Sequence, residues 1–109
     1  DRTLRGKPAD FKYKMAFASL GPVEFELIQP VEGATVYDEL LATKGEGLHH
    51  LGFDVGSMEN LEERLAFFKK QGIEVIQTGR TETAKFAYLD TEAIGGVIFE
   101  LISRPSRRA

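Results

Sequence analysis

Two glutamates occupy equivalent places in a repeated tetrapeptide. The sequence Phe-Glu-Leu-Ile occurs at residues 25–28 and again at residues 99–102, so Glu26 and Glu100 each lie in a short apolar segment that is typical of a strand. An ionised carboxylate within a sheet loses hydration free energy unless a cation or hydrogen-bond donors compensate it. If the two copies belong to similar modules related by a pseudo-twofold axis, the carboxylates could converge on one point, and this suggests a metal ion.

A histidine pair opens the most informative alternating segment, residues 48–55. His50 shares one face with Gly52 and Asp54, whereas His49 shares the other face with Leu51, Phe53 and Val55. We expect the apolar face to lie under a helix, so that His49 is a hydrogen-bonded structural histidine. His50 then faces away from the core, beside a glycine that keeps space open.

The elements that must position these side chains follow from periodicity and turn residues. Alternation predicts strands over residues 11–19, 23–29, 48–55, 73–78, 84–89 and 97–103. Thr35 and Asp38 resemble a capping box and predict a short helix through Ala42, and Ser57 precedes an amphipathic helix that ends at Gly72. From residue 48 the order is therefore strand, helix and three strands, and the two earlier strands look like the end of a second such unit.

Composition narrows the functional classes. The 109 residues fit one domain, and the net charge of -3 comes from interspersed acids and bases, which argues against nucleic acid as a partner. The absence of cysteine excludes disulfides, thiolate metal sites and cysteine nucleophiles and fits a reducing compartment. No apolar run approaches the roughly 20 residues that a membrane span needs. We therefore expect a cytoplasmic protein with no membrane partner.

Three stretches together resemble a known family. They are residues 45–55 with Gly-Leu-His-His, residues 69–73 with Lys-Lys-Gln-Gly-Ile, and residues 95–101 with Gly-Gly-Val-Ile-Phe-Glu-Leu. They are similar to the vicinal oxygen chelate (glyoxalase/bleomycin resistance/dioxygenase) superfamily, and most similar to its methylmalonyl-CoA epimerase and lactoylglutathione lyase branch. The similarity covers residues 14–103.

The resemblance implies an α+β fold in which paired βαβββ modules form a curved mixed sheet with helices on the convex side. It implies a single domain, in which residues 11–44 are the end of module one plus a linking helix and residues 48–103 are a complete module two. The first module is therefore incomplete in this chain.

The resemblance also implies the site. Glu26, His50 and Glu100 match three places that hold a divalent metal in the superfamily, and this ligand set suits Zn, Ni, Co, Mn or Fe. The fourth ligand, from the first strand of module one, has no counterpart here. Glu100 or Glu26 is the implied catalytic proton shuttle. The strand that carries a carboxylate base in the epimerases offers Lys14 and Met15 instead.

The implied function is a metal-dependent isomerase or lyase that acts next to a carbonyl of a small thioester or thiohemiacetal. Two alternatives remain open: a non-catalytic small-molecule-binding module of the resistance type, and an Fe(II) extradiol-type dioxygenase that uses His50 and Glu100 but not Glu26. In simpler interpretations, His50 is a polar residue on a solvated sheet face, and the two glutamates form salt bridges with Lys14 or Lys85. An incomplete module leaves an open sheet edge, so we expect a homodimer.

Overall fold

The strands of the chain form two separate sheets. The computed structural model describes residues 2–104. Its elements in chain order are β1 (Arg2–Leu4), β2 (Lys7–Pro8), β3 (Lys12–Leu20), β4 (Val23–Glu32), α1 (Val36–Thr43), β5 (His50–Gly56), α2 (Met58–Lys70), β6 (Val75–Arg80), β7 (Lys85–Leu89), α3 (Glu92–Gly95) and β8 (Ile98–Ser103). None of these helices is both long enough and apolar enough to cross a bilayer.

The larger sheet has six strands in the order β2-β1-β6-β7-β8-β5, and β3 pairs with β4 in a separate two-stranded ribbon. β5 runs parallel to β8, whereas the other pairs are antiparallel. The mixed α+β fold and the order of strand, helix and three strands after residue 47 are therefore confirmed. β1 and β2 were not predicted, because these short polar segments have no periodicity and are fixed only by pairing with each other and with β6.

Two helices close the core on different sides of the larger sheet. Ser57 caps α2 as predicted, and α2 buries Leu61 against Leu89 and Leu101. The Thr35 and Asp38 capping box begins α1, also as predicted, and α1 contributes to a second apolar cluster of five buried residues: Val36, Tyr37, Ile76, Tyr88 and Ile98. Tyr13 and Ile28 pack against this second cluster, so α1 and its neighbours connect the ribbon to the larger sheet.

The expectation that a helix covers the whole apolar face of β5 is wrong. Val55 packs with the α2 cluster, but Leu51 and Phe53 are exposed. Contacts of α2 are shared between β5 and β8, and the buried Leu61 lies against Leu89 and Leu101 rather than over the edge strand. A single helix of this length covers only part of a four-stranded unit.

The two copies of the repeat have different surroundings. Leu101 is 6% exposed beneath α2, whereas Leu27, at the same place in the first copy, is 68% exposed. Five apolar side chains on the outer face of the ribbon are exposed: Leu20, Val23, Phe25, Leu27 and Val31. Within residues 2–104, each strand of the ribbon also pairs on one side only. The homodimer predicted from such an edge stays a prediction.

The repeat offers a matched pair of truncations. Leu101→Ala should lower the free energy of unfolding by about 2–5 kcal/mol, because it leaves a cavity under α2. Leu27→Ala should lower it by no more than about 0.5 kcal/mol, because its side chain is exposed. Urea unfolding at two protein concentrations measures both losses. If Leu27→Ala lost as much stability as Leu101→Ala, and if that loss depended on protein concentration, Leu27 would not be exposed in solution and association through this face would be supported.

Candidate active site

Three predicted side chains lie together between the ribbon and the larger sheet. Nε2 of His50 is 3.2 Å from Oε1 of Glu26 and 3.3 Å from Oε1 of Glu100. The exposed fractions of the side chains are 9% for His50, 21% for Glu26 and 10% for Glu100. The simpler interpretation, in which the glutamates pair with Lys14 or Lys85, does not fit these contacts. Lys85 bonds Glu62, and Lys14 pairs with Gln29, which lies three residues from Glu26 and therefore on the other face of the ribbon.

Strand register explains how residues so distant in sequence meet. Gly52 pairs with Glu100 in the parallel ladder of β5 and β8, and His50 lies two residues earlier on the same face of β5. Glu26 comes from β4, where it pairs with Phe17, and the ribbon brings it to the imidazole from the opposite side. The two copies of the repeat thus contribute one carboxylate each to one histidine.

Gly52 provides the space that Glu100 needs. A Cβ atom at residue 52 would lie 2.9 Å from Oε1 of Glu100 and 3.3 Å from Cδ1 of Ile102. Real Cβ atoms do not approach an oxygen that closely, so any larger residue would force the carboxylate to move. The interpretation of Gly52 as a residue that keeps space open agrees with this geometry.

An aromatic group that sequence reasoning missed lines the buried side of the site. The ring of Tyr88 lies 4.8 Å from the His50 ring, and its hydroxyl is 2.7 Å from the hydroxyl of Tyr37. The Tyr13 ring meets Tyr37 edge-on at 5.1 Å. Tyr88 pairs with Glu100 across β7 and β8, so the strand register places it on the face of the site. The available sequence signal was that Phe86 and Tyr88, two residues apart in a predicted strand, share one face of that strand.

His49 belongs to the site rather than to the layer under α2. Its ring contacts Tyr37 at 5.0 Å and Tyr88 at 5.6 Å, and its Nδ1 is 2.9 Å from Nδ1 of His50. The prediction of a hydrogen-bonded histidine agrees with these contacts, but its expected location was wrong. β5 begins at His50, so the strand alternation that placed His49 under a helix does not apply to it.

Charge in the site depends on burial and on the two carboxylates. Burial lowers the pKa of His50, but hydrogen bonds and charge from Glu100 and Glu26 outweigh that effect and raise the pKa to about 9. Burial and the neighbouring His50 lower the pKa of His49 to about 4. Burial also raises the pKa values of Tyr37 and Tyr88 above their usual range, so both hydroxyls stay protonated.

The donor types suit a divalent ion. Two ligand atoms at about 2.0–2.2 Å from one ion, in octahedral or tetrahedral geometry, lie roughly 2.8–3.6 Å apart. Both nitrogen-to-oxygen distances at His50 fall in that range. Within residues 2–104, however, no three His, Cys, Asp or Glu side chains are gathered closely enough to hold an ion as they stand. Binding would therefore require a change in side-chain positions, for which Glu26 has more room than the more deeply buried Glu100.

The family model of the glyoxalase/bleomycin resistance protein/dioxygenase superfamily matches residues 1–88. The chain therefore belongs to this superfamily, whose members typically bind divalent metals.

Relatives support the fold but do not define the reaction. The chain is 31% identical over 93 residues to the uncharacterized protein YqjC of Bacillus subtilis (strain 168); the match covers 83% of this chain and spans 64% of that relative's length. It is similar, with a TM-score of 0.70 and 26% identity, to the crystal structure of hypothetical protein BH1468 from Bacillus halodurans C-125, covering 89% of this chain and 70% of that one. A structure of methylmalonyl-CoA epimerase from Mycobacterium tuberculosis matches with a TM-score of 0.64 and 17% identity, over 97% and 73% of the two chains.

Filling the space at Gly52 should disrupt the site. Gly52→Ala places a methyl group against Glu100, so we expect the pKa of His50 to fall toward its usual value and the protein to lose roughly 1–3 kcal/mol of stability. An NMR titration of the histidine ring protons measures the pKa. Gly95→Ala is a matched control, because its Cβ would come no closer than 3.4 Å to the Phe99 ring. An unchanged His50 pKa in Gly52→Ala would refute the close approach.

Stability of the metal-free protein should depend on pH through His50. Its folded pKa of about 9 lies above the unfolded value, so its contribution is complete below pH 6.5 and is lost as pH rises to 9. We expect the free energy of unfolding to fall by about 3 kcal/mol across that interval. Urea unfolding in the presence of a chelator measures this change. His50→Gln should abolish most of it, and an equally steep fall in that variant would assign the effect elsewhere.

Proposed function

We propose that the protein is a metal-dependent isomerase or lyase that moves a proton next to a carbonyl group of a small thioester or thiohemiacetal. The supporting observation is that one histidine lies between two carboxylates from equivalent strands, and that all three side chains are mostly buried. Such a set can bind a cation, and a carboxylate beside that cation can accept a proton from the substrate. Similarity to an epimerase is consistent with this class of reaction.

His50 and Glu100 would act as the fixed side of the site. Both side chains are about nine-tenths buried, and Tyr88 packs against the His50 ring, so neither can move far. With Glu26 they would hold the divalent ion, whose identity among Zn, Ni, Co, Mn and Fe stays open. When bound, that ion would act as a Lewis acid on a substrate oxygen and lower the cost of removing the neighbouring proton.

Glu26 would carry the proton. Its side chain is twice as exposed as that of Glu100, and it pairs with Phe17, which is 57% exposed on the same face of the ribbon. Glu26 therefore lies on the side from which a substrate would enter, and Phe17 and Met15 would contact the apolar part of that substrate. The carboxylate would accept the proton from the carbon next to the carbonyl and return it to the product.

The donor set favours this chemistry over oxygen activation. Non-haem Fe(II) oxygenases typically use two histidines and one carboxylate with open positions. Here a single imidazole faces two carboxylates, since His49 directs its nitrogens to His50 and to Val36.

We also propose that the protein works in the cytoplasm, because a sequence without cysteine is consistent with a reducing compartment.

Metal binding and proton exchange test the proposal separately. Chelator-treated protein should bind one Mn²⁺, Co²⁺, Ni²⁺ or Zn²⁺ per chain by calorimetry, and His50→Gln should abolish that binding. In D₂O, the loaded protein should exchange the proton next to the carbonyl of methylmalonyl-CoA or of the glutathione hemithioacetal of methylglyoxal, as observed by proton NMR. Glu26→Gln should slow the exchange by at least about 100-fold.

Glu32→Gln is the matched control for that experiment. Glu32 lies at the end of the same strand, is exposed, and pairs with Lys12 at 3.6 Å. Its substitution should leave both metal binding and exchange unchanged. Stoichiometric binding without exchange of either compound would refute the proposed reaction, and no binding by the native protein would refute the metal site.

One observation favours a second candidate, a binding module without catalysis. His50 in its protonated form satisfies both carboxylates with no ion present. A resistance-type module would use the same space between the ribbon and the larger sheet to hold a small molecule. Such a module would show no metal after purification from a medium that contains these ions, and His50→Gln would leave its ligand affinity within a few-fold of the native value.

A further inference from the structure

His49 has a role that the proposed reaction does not use. Its two ring nitrogens have different partners: Nδ1 is 2.9 Å from Nδ1 of His50, and Nε2 is 3.3 Å from the backbone oxygen of Val36. Both partners are fixed by neighbouring structure. Only one arrangement of protons satisfies every atom in this chain of contacts.

The backbone oxygen of Val36 decides the first proton. A carbonyl oxygen can only accept, so Nε2 of His49 must carry the hydrogen that it donates. The oxygen is held in place because Val36 begins α1, where its N–H donates to Oε1 of the buried Gln77 at 3.0 Å and the Thr35 capping box fixes the first turn. A neutral histidine has one N–H group, so Nδ1 of His49 is left with a lone pair.

The second proton follows from the first. Because Nδ1 of His49 can only accept, Nδ1 of His50 must donate across the 2.9 Å contact. The other nitrogen of His50, Nε2, then faces Oε1 of Glu26 and Oε1 of Glu100. A lone pair opposite two carboxylate oxygens is repulsive unless a proton or a metal ion lies between them.

The reverse arrangement leaves groups unsatisfied. If Nδ1 of His49 donated to His50, a neutral His49 would direct a lone pair at the Val36 oxygen. Only a doubly protonated His49 would avoid that repulsion, and its ring packs against Tyr37 and Tyr88, where a positive charge would lose hydration without a carboxylate partner of its own.

We infer that His49 is a positioning residue that fixes the His50 tautomer with its hydrogen on Nδ1, so that Nε2 is presented to a cation shared with Glu26 and Glu100. The inference rests on the proposed function for the identity of that cation as a metal. The hydrogen-bond order from Val36 through His49 to His50 does not depend on it. Partners that orient a ligating histidine in this way typically change metal affinity by about 10–100-fold when they are removed.

Two variants separate hydrogen bonding from packing. His49→Phe keeps an aromatic ring against Tyr37 and Tyr88 but removes the acceptor, so Zn²⁺ affinity measured by calorimetry on chelator-treated protein should fall by about 10–100-fold. In His49→Asn the side-chain oxygen can take the place of Nδ1 and accept from His50, so affinity should stay within about fivefold of the native value. Equal affinity of His49→Phe and native protein would overturn the inference.

Nitrogen-15 NMR of the imidazole rings shows directly which ring nitrogens carry a hydrogen. It is measured on the native protein, so it requires no metal and no comparison between variants that could fold differently. Native protein should show His49 protonated on Nε2 alone at pH 7, and His50 protonated on Nδ1 both before and after addition of Zn²⁺. A bare Nδ1 on His50 would overturn the inference, whatever the calorimetry shows. If native protein binds no Zn²⁺ but shows this proton order, the metal-dependent function fails while the positioning role stands.

Discussion

The contact of one imidazole with two carboxylates is the constraint around which this structure is organised. Two mostly buried glutamates on either side of one histidine repel each other and lose hydration, and a cation between them offsets both costs. In the metal-free protein, protonated His50 supplies that charge. Under the proposed function, the same nitrogen would bind the metal ion, so proton and metal would compete for one position and metal affinity would be coupled to pH.

This contact forms only if the ribbon and the larger sheet keep a fixed position relative to one another. Glu26 belongs to the ribbon, whereas His50 and Glu100 belong to the larger sheet. The aromatic cluster of Tyr13, Tyr37 and Tyr88 fills the space between the two, and the hydroxyl contact of Tyr37 with Tyr88 satisfies polar groups that would otherwise be buried without partners. α1 therefore serves as more than a linker, because it carries Tyr37 and the backbone oxygen that orients His49.

Much of the fold could be predicted from local rules. The Thr35 capping box and the Ser57 cap act within one helical turn, so the sequence alone locates both helix starts. Alternation located β3 to β8, but it failed where pairing rather than pattern makes a strand, as in β1 and β2. It also misplaced His49, because β5 begins at His50, two residues after the predicted start, and it could not reveal that Leu51 and Phe53 are not covered by α2.

By itself, the sequence determined the family, the order of strands β3 to β8 with helices α1 and α2, and the identity of three chemically capable side chains, because each depends on motifs or short-range periodicity. Only the tertiary structure decided that Nε2 of His50 faces Glu26 and Glu100, that tyrosines enclose the site, and that His49 connects His50 to α1. Except for the contact between the adjacent histidines, these contacts join residues that are separated by more than ten positions in the sequence. Their formation depends on strand register and on ring orientation, which no local pattern encodes.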